Sequence, residues 1–313
     1  MDLAVDGVRV PDGRWVELWD GGAPGGTPVI FLAGCPDTRH AAYSGVEAAR
    51  RRDVRLVGVN RPGYGRSTSH ASTHLSVADD VVAVADALGI ERFAVAGMSI
   101  GGPYAVACAV RHPDRVTALG VLAGPASVPE LDPPYHRDNL EPDAQSFFER
   151  LAQSTPEEAV ELMRPDFLAY VAQLNPADPD DESLVRRFLA ELDPHDAGVL
   201  RGATGEVDGL RLGSDRAIAA AVREALANPD GYLRDAAISF RAWDFRPEEV
   251  RCPTHLWYGE HDANASARNG QWLADRIPGA ALVVHPQTTH LAVLHEHWPA
   301  VLAALSGHAE SGR

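Results

Sequence analysis

Lysine is absent from the chain: all 28 basic side chains among its 313 residues are Arg. A lysine Schiff base and a Walker-type phosphate lysine are therefore excluded. Cysteine is almost as scarce. Cys35, Cys108 and Cys252 are odd in number and lack metal-ligand spacing, so they read as free thiols of a reducing compartment. No apolar run approaches the ~18 residues that a bilayer span requires. The start, Met1-Asp2-Leu3-Ala4-Val5-Asp6, has neither the basic nor the apolar segment of a secretory leader, and the expectation is a cytoplasmic protein. Positive charge is in deficit, 28 Arg against 44 Asp and Glu, for a formal net charge of −16. That balance argues against nucleic-acid and anionic-membrane partners, both of which are gathered by basic surface. It leaves a small molecule as the expected partner and the oligomeric state open.

What is present is a strand–helix rhythm. A hydrophobic content of 45% suits a chain with a large core. Residues 8–19 alternate around Pro11-Asp12-Gly13 and read as a hairpin. Buried strands are expected at 29–32, 54–59, 93–96 and 116–122, with helices over 39–50, from Ser76-Val77-Ala78-Asp79 (a capping box) to Gly89, and up to about 111. Strands that are apolar on both faces and alternate with helices predict a parallel sheet covered on both sides. The rhythm resumes with strands at 254–258 and 281–284, a helix at 266–277 and a closing helix from Trp298.

Between these halves the pattern changes. Residues 126–240 read as mainly helical, with helices near 142–153, 181–192 and 215–227 and a capping box at Thr155-Pro156-Glu157-Glu158. This segment carries 23 Asp and Glu against 10 Arg, so it holds −13 of the total −16. Such a shift marks an inserted unit, with 1–125 and 241–313 forming the body around it. Its acidity reads first as solvated surface; otherwise it would favour neutral or cationic substrates.

The chemistry centres on Phe93-Ala94-Val95-Ala96-Gly97-Met98-Ser99-Ile100-Gly101-Gly102, an apolar strand ending in Gly-x-Ser-x-Gly. A serine at a sharp strand-to-helix turn needs small residues two before and two after it, and Gly97 and Gly101 fill those places. Its hydroxyl needs a general base, and the base needs an acid. In open α/β sheets such groups follow strands at their carboxyl ends. Gly259-Glu260-His261-Asp262 and Gln287-Thr288-Thr289-His290 both do so.

Together with Asn60-Arg61-Pro62-Gly63-Tyr64-Gly65-Arg66-Ser67 and Ile277-Pro278-Gly279-Ala280, these motifs make the chain resemble the α/β-hydrolase superfamily. The resemblance spans residues 8–305. It implies an α/β-hydrolase fold: a mostly parallel, doubly wound sheet with 126–240 as a helical cap. It also implies a catalytic triad of Ser99 as nucleophile, His290 as general base and Asp262 as orienting acid. The oxyanion hole would be made by the backbone N–H groups of Cys35 and Ile100.

Two positions depart from the family pattern. The loop Ala33-Gly34-Cys35-Pro36-Asp37 lacks the His-Gly that often precedes the oxyanion donor, and it places a carboxylate two residues beyond it. If Asp37 pointed inward it would oppose an oxyanion; if it pointed outward, towards Arg39, it would only stiffen the loop. Thr289 stands where Gly commonly precedes the histidine.

Each of these groups has a rival. Glu260 competes with Asp262, and His285, His295 and His297 compete with His290. No Asp, Glu or His set has zinc-enzyme spacing, so no metal is expected. Gly63-x-Gly65 lacks the remainder of a dinucleotide fingerprint, so no cofactor is expected either. The Cys35 thiol reads as incidental or as pocket lining, and Phe147, Phe148, Phe167, Tyr170 and Trp243 read first as core, with some of them expected to face the cleft. The reading is a serine esterase acting through an acyl-enzyme. Its alternatives are a C–C bond hydrolase or a proline-aminopeptidase-like enzyme, which usually carries Trp at the place of Ile100. Further alternatives are a cyclase, lyase or acyltransferase of a biosynthetic pathway, and a non-catalytic binding protein.

Overall fold

The computed structural model describes residues 6–138, 140–175 and 179–307. The body is built in chain order from β1 (Gly7–Arg9), β2 (Trp15–Gly22), β3 (Thr27–Leu32), α1 (Val46–Arg51), β4 (Val54–Val59), α2 (His74–Ala87), β5 (Phe93–Met98), α3 (Gly101–Arg111) and β6 (Val116–Leu122). The insert follows, with α4 (Pro142–Gln153), α5 (Pro156–Leu174), α6 (Asp181–Ala190), α7 (Pro194–Gly202), the small hairpin β7 (Glu206–Val207) and β8 (Leu210–Arg211), α8 (Asp215–Leu226) and α9 (Pro229–Ser239). The body closes with β9 (Thr254–Gly259), α10 (Ala267–Arg276), β10 (Ala281–His285), α11 (Ala292–His295) and α12 (Trp298–Ser306).

The sheet runs β1-β2-β4-β3-β5-β6-β9-β10. In this sheet the β1–β2 and β2–β4 pairings are antiparallel, and the pairings from β4–β3 through β9–β10 are parallel. Successive strand side chains point to opposite faces, and the core divides accordingly. Ile30, Leu32, Val95, Leu256 and Tyr258 join the cluster under α2, α3 and α10. Val29, Phe31, Ala94, Ala96 and Trp257 join the cluster under α1, α11 and α12. This is the doubly wound α/β-hydrolase fold. The helices of the insert bury a third cluster of their own, around Leu151, Phe167, Leu184, Ala219 and Leu233.

Most local expectations hold, and the departures have identifiable causes. The capping box of α2 is Thr73 with Ser76, one helical turn earlier than expected. His74 is buried against Tyr104 and Phe245, and that packing draws the first turn into the helix. The expected helix over 39–50 is a 3-10 turn (Arg39–Gly45) followed by α1. There Ser44 Oγ donates to the Ala41 carbonyl at 2.8 Å, which competes with the α ladder. α7 and α9 were not anticipated because Asp193-Pro194 and Asn228-Pro229 look like breaks. They are in fact N-cap and first-helical-residue pairs, with both side chains accepting from backbone N–H groups at 2.8 and 2.9 Å. Among the described residues no helix is long and apolar enough to cross a membrane, and no group of three metal-ligating side chains is gathered.

Candidate active site

The serine turn comes first because its geometry is set by its neighbours. Ser99 has φ +50°, a left-handed conformation that is costly for any residue but Gly. Its N–H donates to Leu122 O and its carbonyl accepts from Gly102 N, each at 2.8 Å, so β6 and α3 hold the strain in place. A Cβ at Gly97 would stand 2.1 Å from the Gly101 carbonyl oxygen, and one at Gly101 would stand 2.1 Å from that of Leu32. The two glycines are therefore required by close backbone approach. α3 begins directly after the serine, so its positive end faces whatever charge develops there.

His290 lies on the loop after β10, and its Nδ1 is 2.7 Å from Asp262 Oδ2. The Asp262 side chain is fully buried, and its other oxygen accepts from the backbone N–H groups of Asn264 and Ala265 at 2.7 and 2.9 Å. One oxygen is thereby committed to the loop and the other to the imidazole, which places the ring proton on Nδ1 and leaves Nε2 as a base. The two loops are tied together as well: Glu260 N donates to His285 O and His261 N to Thr288 O. Gly259 permits this approach, since a Cβ there would meet Thr288 O at 2.2 Å. Glu260, the rival acid, accepts from Gln287 N at the exposed turn. His285 and His297 stack on each other with ring centroids 3.7 Å apart.

Gly34 stands against the serine: a Cβ built on it would be 3.2 Å from Ser99 Cβ. Among the described residues neither the Cys35 nor the Ile100 N–H has a backbone acceptor. The Cys35 thiol is pushed up to about 12 by burial, with the nearby Asp235 charge adding to it, so it is protonated and a poor nucleophile. Arg39 pairs with Glu224 and Glu17 rather than with Asp37. Asp37 instead faces the interior, accepts from Thr38 N at 2.7 Å, and has its carboxyl pushed up to about 6 by burial.

Ser99, Ile100, Cys35, Asp37 and His290 all line one cavity of about 690 Å³ between the body and the insert. Phe147, Phe148, Phe167 and Tyr170 belong to or pack on the core of the insert and also line this cavity, as expected of some of them; Trp243 stacks on Phe245 away from it. The wall is largely apolar. Asp166, Glu191, Asp193 and Asp196 are also among its lining residues, against a single arginine, Arg137, among the described residues.

Three functional-looking groups escaped the sequence reading. Arg61 donates through Nη1 to the Ala33 carbonyl and through Nη2 to that of Gly34 at 2.8 Å, and it pairs with Asp235 at 2.6 Å. Burial alone would lower the guanidinium pKa, but the Asp235 carboxylate holds it above its ordinary value. Asp196 accepts from Thr289 Oγ1 on the His290 loop.

The sequence model of the alpha/beta hydrolase fold family matches residues 27–296. Over 272 residues the chain is 29% identical to a pimeloyl-[acyl-carrier protein] methyl ester esterase of Chromobacterium violaceum, covering 85% of this chain and 87% of that protein. It is 27% identical over 217 residues to a proline iminopeptidase of Neisseria meningitidis, covering 60% and 69%. Among solved structures, an esterase from Exiguobacterium antarcticum superposes with a TM-score of 0.65 at 18% identity, covering 96% of this chain and 98% of that one. An enol-lactonase from Burkholderia xenovorans does so with a TM-score of 0.63 at 20% identity, covering 96% and 99%.

Proposed function

The chain belongs to the α/β-hydrolase fold family, and on that footing we propose that it is a serine hydrolase cleaving a carboxylic ester through an acyl-enzyme on Ser99. The observation that carries this reading is the convergence on one cavity of a strained serine and a histidine whose Nδ1 is held by a buried carboxylate. His290 Nε2 takes the Ser99 proton as the oxygen attacks the ester carbonyl. The imidazolium is stabilised by Asp262, and the backbone N–H groups of Cys35 and Ile100 receive the oxyanion at the positive end of α3. Collapse expels the alcohol, which leaves with the proton from His290. Water then attacks the acyl-enzyme with His290 again as base and releases the acid. Residues 126–240 serve as a cap over the body formed by 1–125 and 241–313.

The cavity supports an ester with a sizeable apolar portion, seated among Phe147, Phe148 and Phe240. Its carboxyl groups disfavour anionic substrates. A second reading, release of an N-terminal residue, is favoured by Asp166, Glu191 and Asp193, which suit an ammonium group. Intact mass after incubation with a fluorophosphonate tests the first step. The wild type is expected to gain one adduct and Ser99→Ala none; equal labelling of both would remove Ser99 from the mechanism. Turnover of a p-nitrophenyl ester series of increasing chain length, set beside a prolyl arylamide, separates the two substrate readings.

A further inference from the structure

We infer that the helical insert is a working part of the catalytic apparatus, because two of its buried carboxylates, Asp196 and Asp235, hold the loops that carry His290 and the oxyanion donor. The inference rests on the serine-hydrolase reading of that site.

Asp196 sits in the first turn of α7 and is almost fully buried. Its Oδ1 accepts from Thr289 Oγ1 at 2.5 Å, from Leu291 N at 3.0 Å and from Ala292 N at 3.2 Å. These three donors bracket His290 on both sides. Leu291 and Ala292 open the short α11, whose first N–H groups have no partner within the helix. A carboxylate from the insert therefore acts as the cap of the helix that follows the base. Thr289 is the residue that replaces the usual glycine, and its hydroxyl is spent on this contact. With Asp262 fixing the ring through Nδ1 and Asp196 fixing the backbone, the direction of Nε2 is over-determined.

Asp235, on α9, does the same for the other loop. It accepts from Arg61 at 2.6 Å, from Tyr64 Oη at 2.8 Å and from Tyr104 Oη at 2.6 Å. Arg61 spends its remaining donors on the carbonyls of Ala33 and Gly34, immediately before Cys35. Tyr104 lies in α3, the helix that begins at the serine turn. The network thus joins the oxyanion loop, the nucleophile helix and the insert through one carboxylate, where the family pattern would have a histidine on the loop itself. Asp196 and Asp235 are positioning residues: each acts through groups that touch the reacting atoms.

The test uses the full chain, fluorophosphonate labelling and turnover of a p-nitrophenyl ester. Asp196→Ala is expected to lower kcat and the second-order labelling rate by about 10- to 100-fold with KM within about twofold, the penalty of a misplaced base. Asp196→Asn keeps Oδ1 as acceptor for all three donors and should recover most of that loss. Thr289→Val, which removes one donor and leaves the fold's other contacts alone, should fall between them and serves if the alanine variant fails to fold. Arg61→Lys, which retains a charge for Asp235 but not the two-pronged grip on Ala33 and Gly34, should lower kcat by at least about tenfold with KM little changed. Wild-type labelling and turnover in Asp196→Ala and Thr289→Val, or equal losses in the Asn and Ala variants, would overturn the proposal for Asp196. An unchanged kcat in Arg61→Lys would overturn it for Asp235. Absence of wild-type labelling would instead overturn the serine-hydrolase reading beneath both.

Discussion

Asp37 offers the sharpest quantitative test, because its position has consequences for stability and for rate. Its carboxyl is pushed up from 3.8 to about 6 by burial, while its Thr38 hydrogen bond only partly offsets that cost. A group whose folded pKa exceeds its unfolded value binds more protons in the folded state between the two values. Stability therefore falls as pH rises from about 4 to about 6 and stays lowered above that. A shift of about two units corresponds to roughly 3 kcal/mol as an upper bound. The side chain faces the cavity and is partly solvated there, so about 1–2 kcal/mol is the working figure. Asp37→Asn preserves shape and the acceptor for Thr38 but cannot ionise. Its melting temperature should lie close to the wild type's at pH 4 and exceed it by about 1.5–3 °C at pH 7.5, measured by calorimetry in matched buffers. The same charge lies two residues beyond Cys35, whose N–H is the proposed oxyanion donor, so the ratio of variant to wild-type kcat should rise above one as pH passes 6. A melting difference that is the same at both pH values would refute the assignment of an inward, destabilising carboxylate.

Other outcomes follow from the same geometry. Asp262→Asn should lower kcat by about 10⁴-fold with little change in KM, because the Asn Nδ2 cannot accept the imidazole proton; steady-state kinetics decide this. Gly97→Ala, which puts a methyl 2.1 Å from a carbonyl oxygen, should cost about 3 kcal/mol or more in urea unfolding. Gly198→Ala, in α7 with nothing within 4 Å, should instead gain about 0.5–1 kcal/mol. Tyr104→Phe, deleting one of three donors to a buried carboxylate, should cost about 1.5–3 kcal/mol. With Cys35 pushed up to about 12 and Cys252 to about 11, iodoacetamide at pH 8 should modify the native protein at least about 100-fold more slowly than the urea-unfolded chain, followed by mass.

The body of the fold was legible because its signals are local. Strands apolar on both faces and helices with one apolar stripe give their period away within a dozen residues, and β4 and β6 fall where the apolar runs place them. The serine turn was legible for the same reason, as Gly97 and Gly101 answer a constraint five residues long. Asp262 and His290 could be picked out because each follows a strand, although their separation in sequence hides their 2.7 Å contact. Arg61 with Asp235 and Asp196 with Thr289 left no such trace: the partners lie 174 and 93 residues apart, and neither side of either pair carries a motif that names the other. The two departures from the family pattern were visible as departures. What compensates them comes from the insert, through partners that only the fold brings together.

Those compensations alter how the acidity of the insert should be read. Most of its excess charge faces solvent, as composition suggests, but three carboxylates do not. Glu224 on α8 gathers Arg39, His40 and Asn60; burial alone would raise its carboxyl pKa, but hydrogen bonds from His40 and Arg39 hold it well below the carboxylate range. Asp196 takes up donors that flank His290, and Asp235 takes up Arg61, Tyr64 and Tyr104, of which Arg61 also donates to the carbonyls of Ala33 and Gly34. A lid that swung freely would have to break all three contacts, leaving Arg61 and its tyrosine neighbours buried without their counter-charge, a change that costs several kcal/mol. Substrate exchange must then proceed by a smaller movement than removal of the whole insert. The segment from the end of β6 to α5 brings Phe147, Phe148 and Arg137 to the cavity and contributes none of these three carboxylates; Arg268 and Asn269 of α10 hold it by donating to the carbonyls of Pro133, Tyr135 and His136, so yielding there breaks hydrogen bonds without stranding a buried carboxylate. A disulfide or cross-link pinning α9 to the Arg61 turn should consequently spare turnover, whereas one pinning residues 133–136 to α10 should slow it.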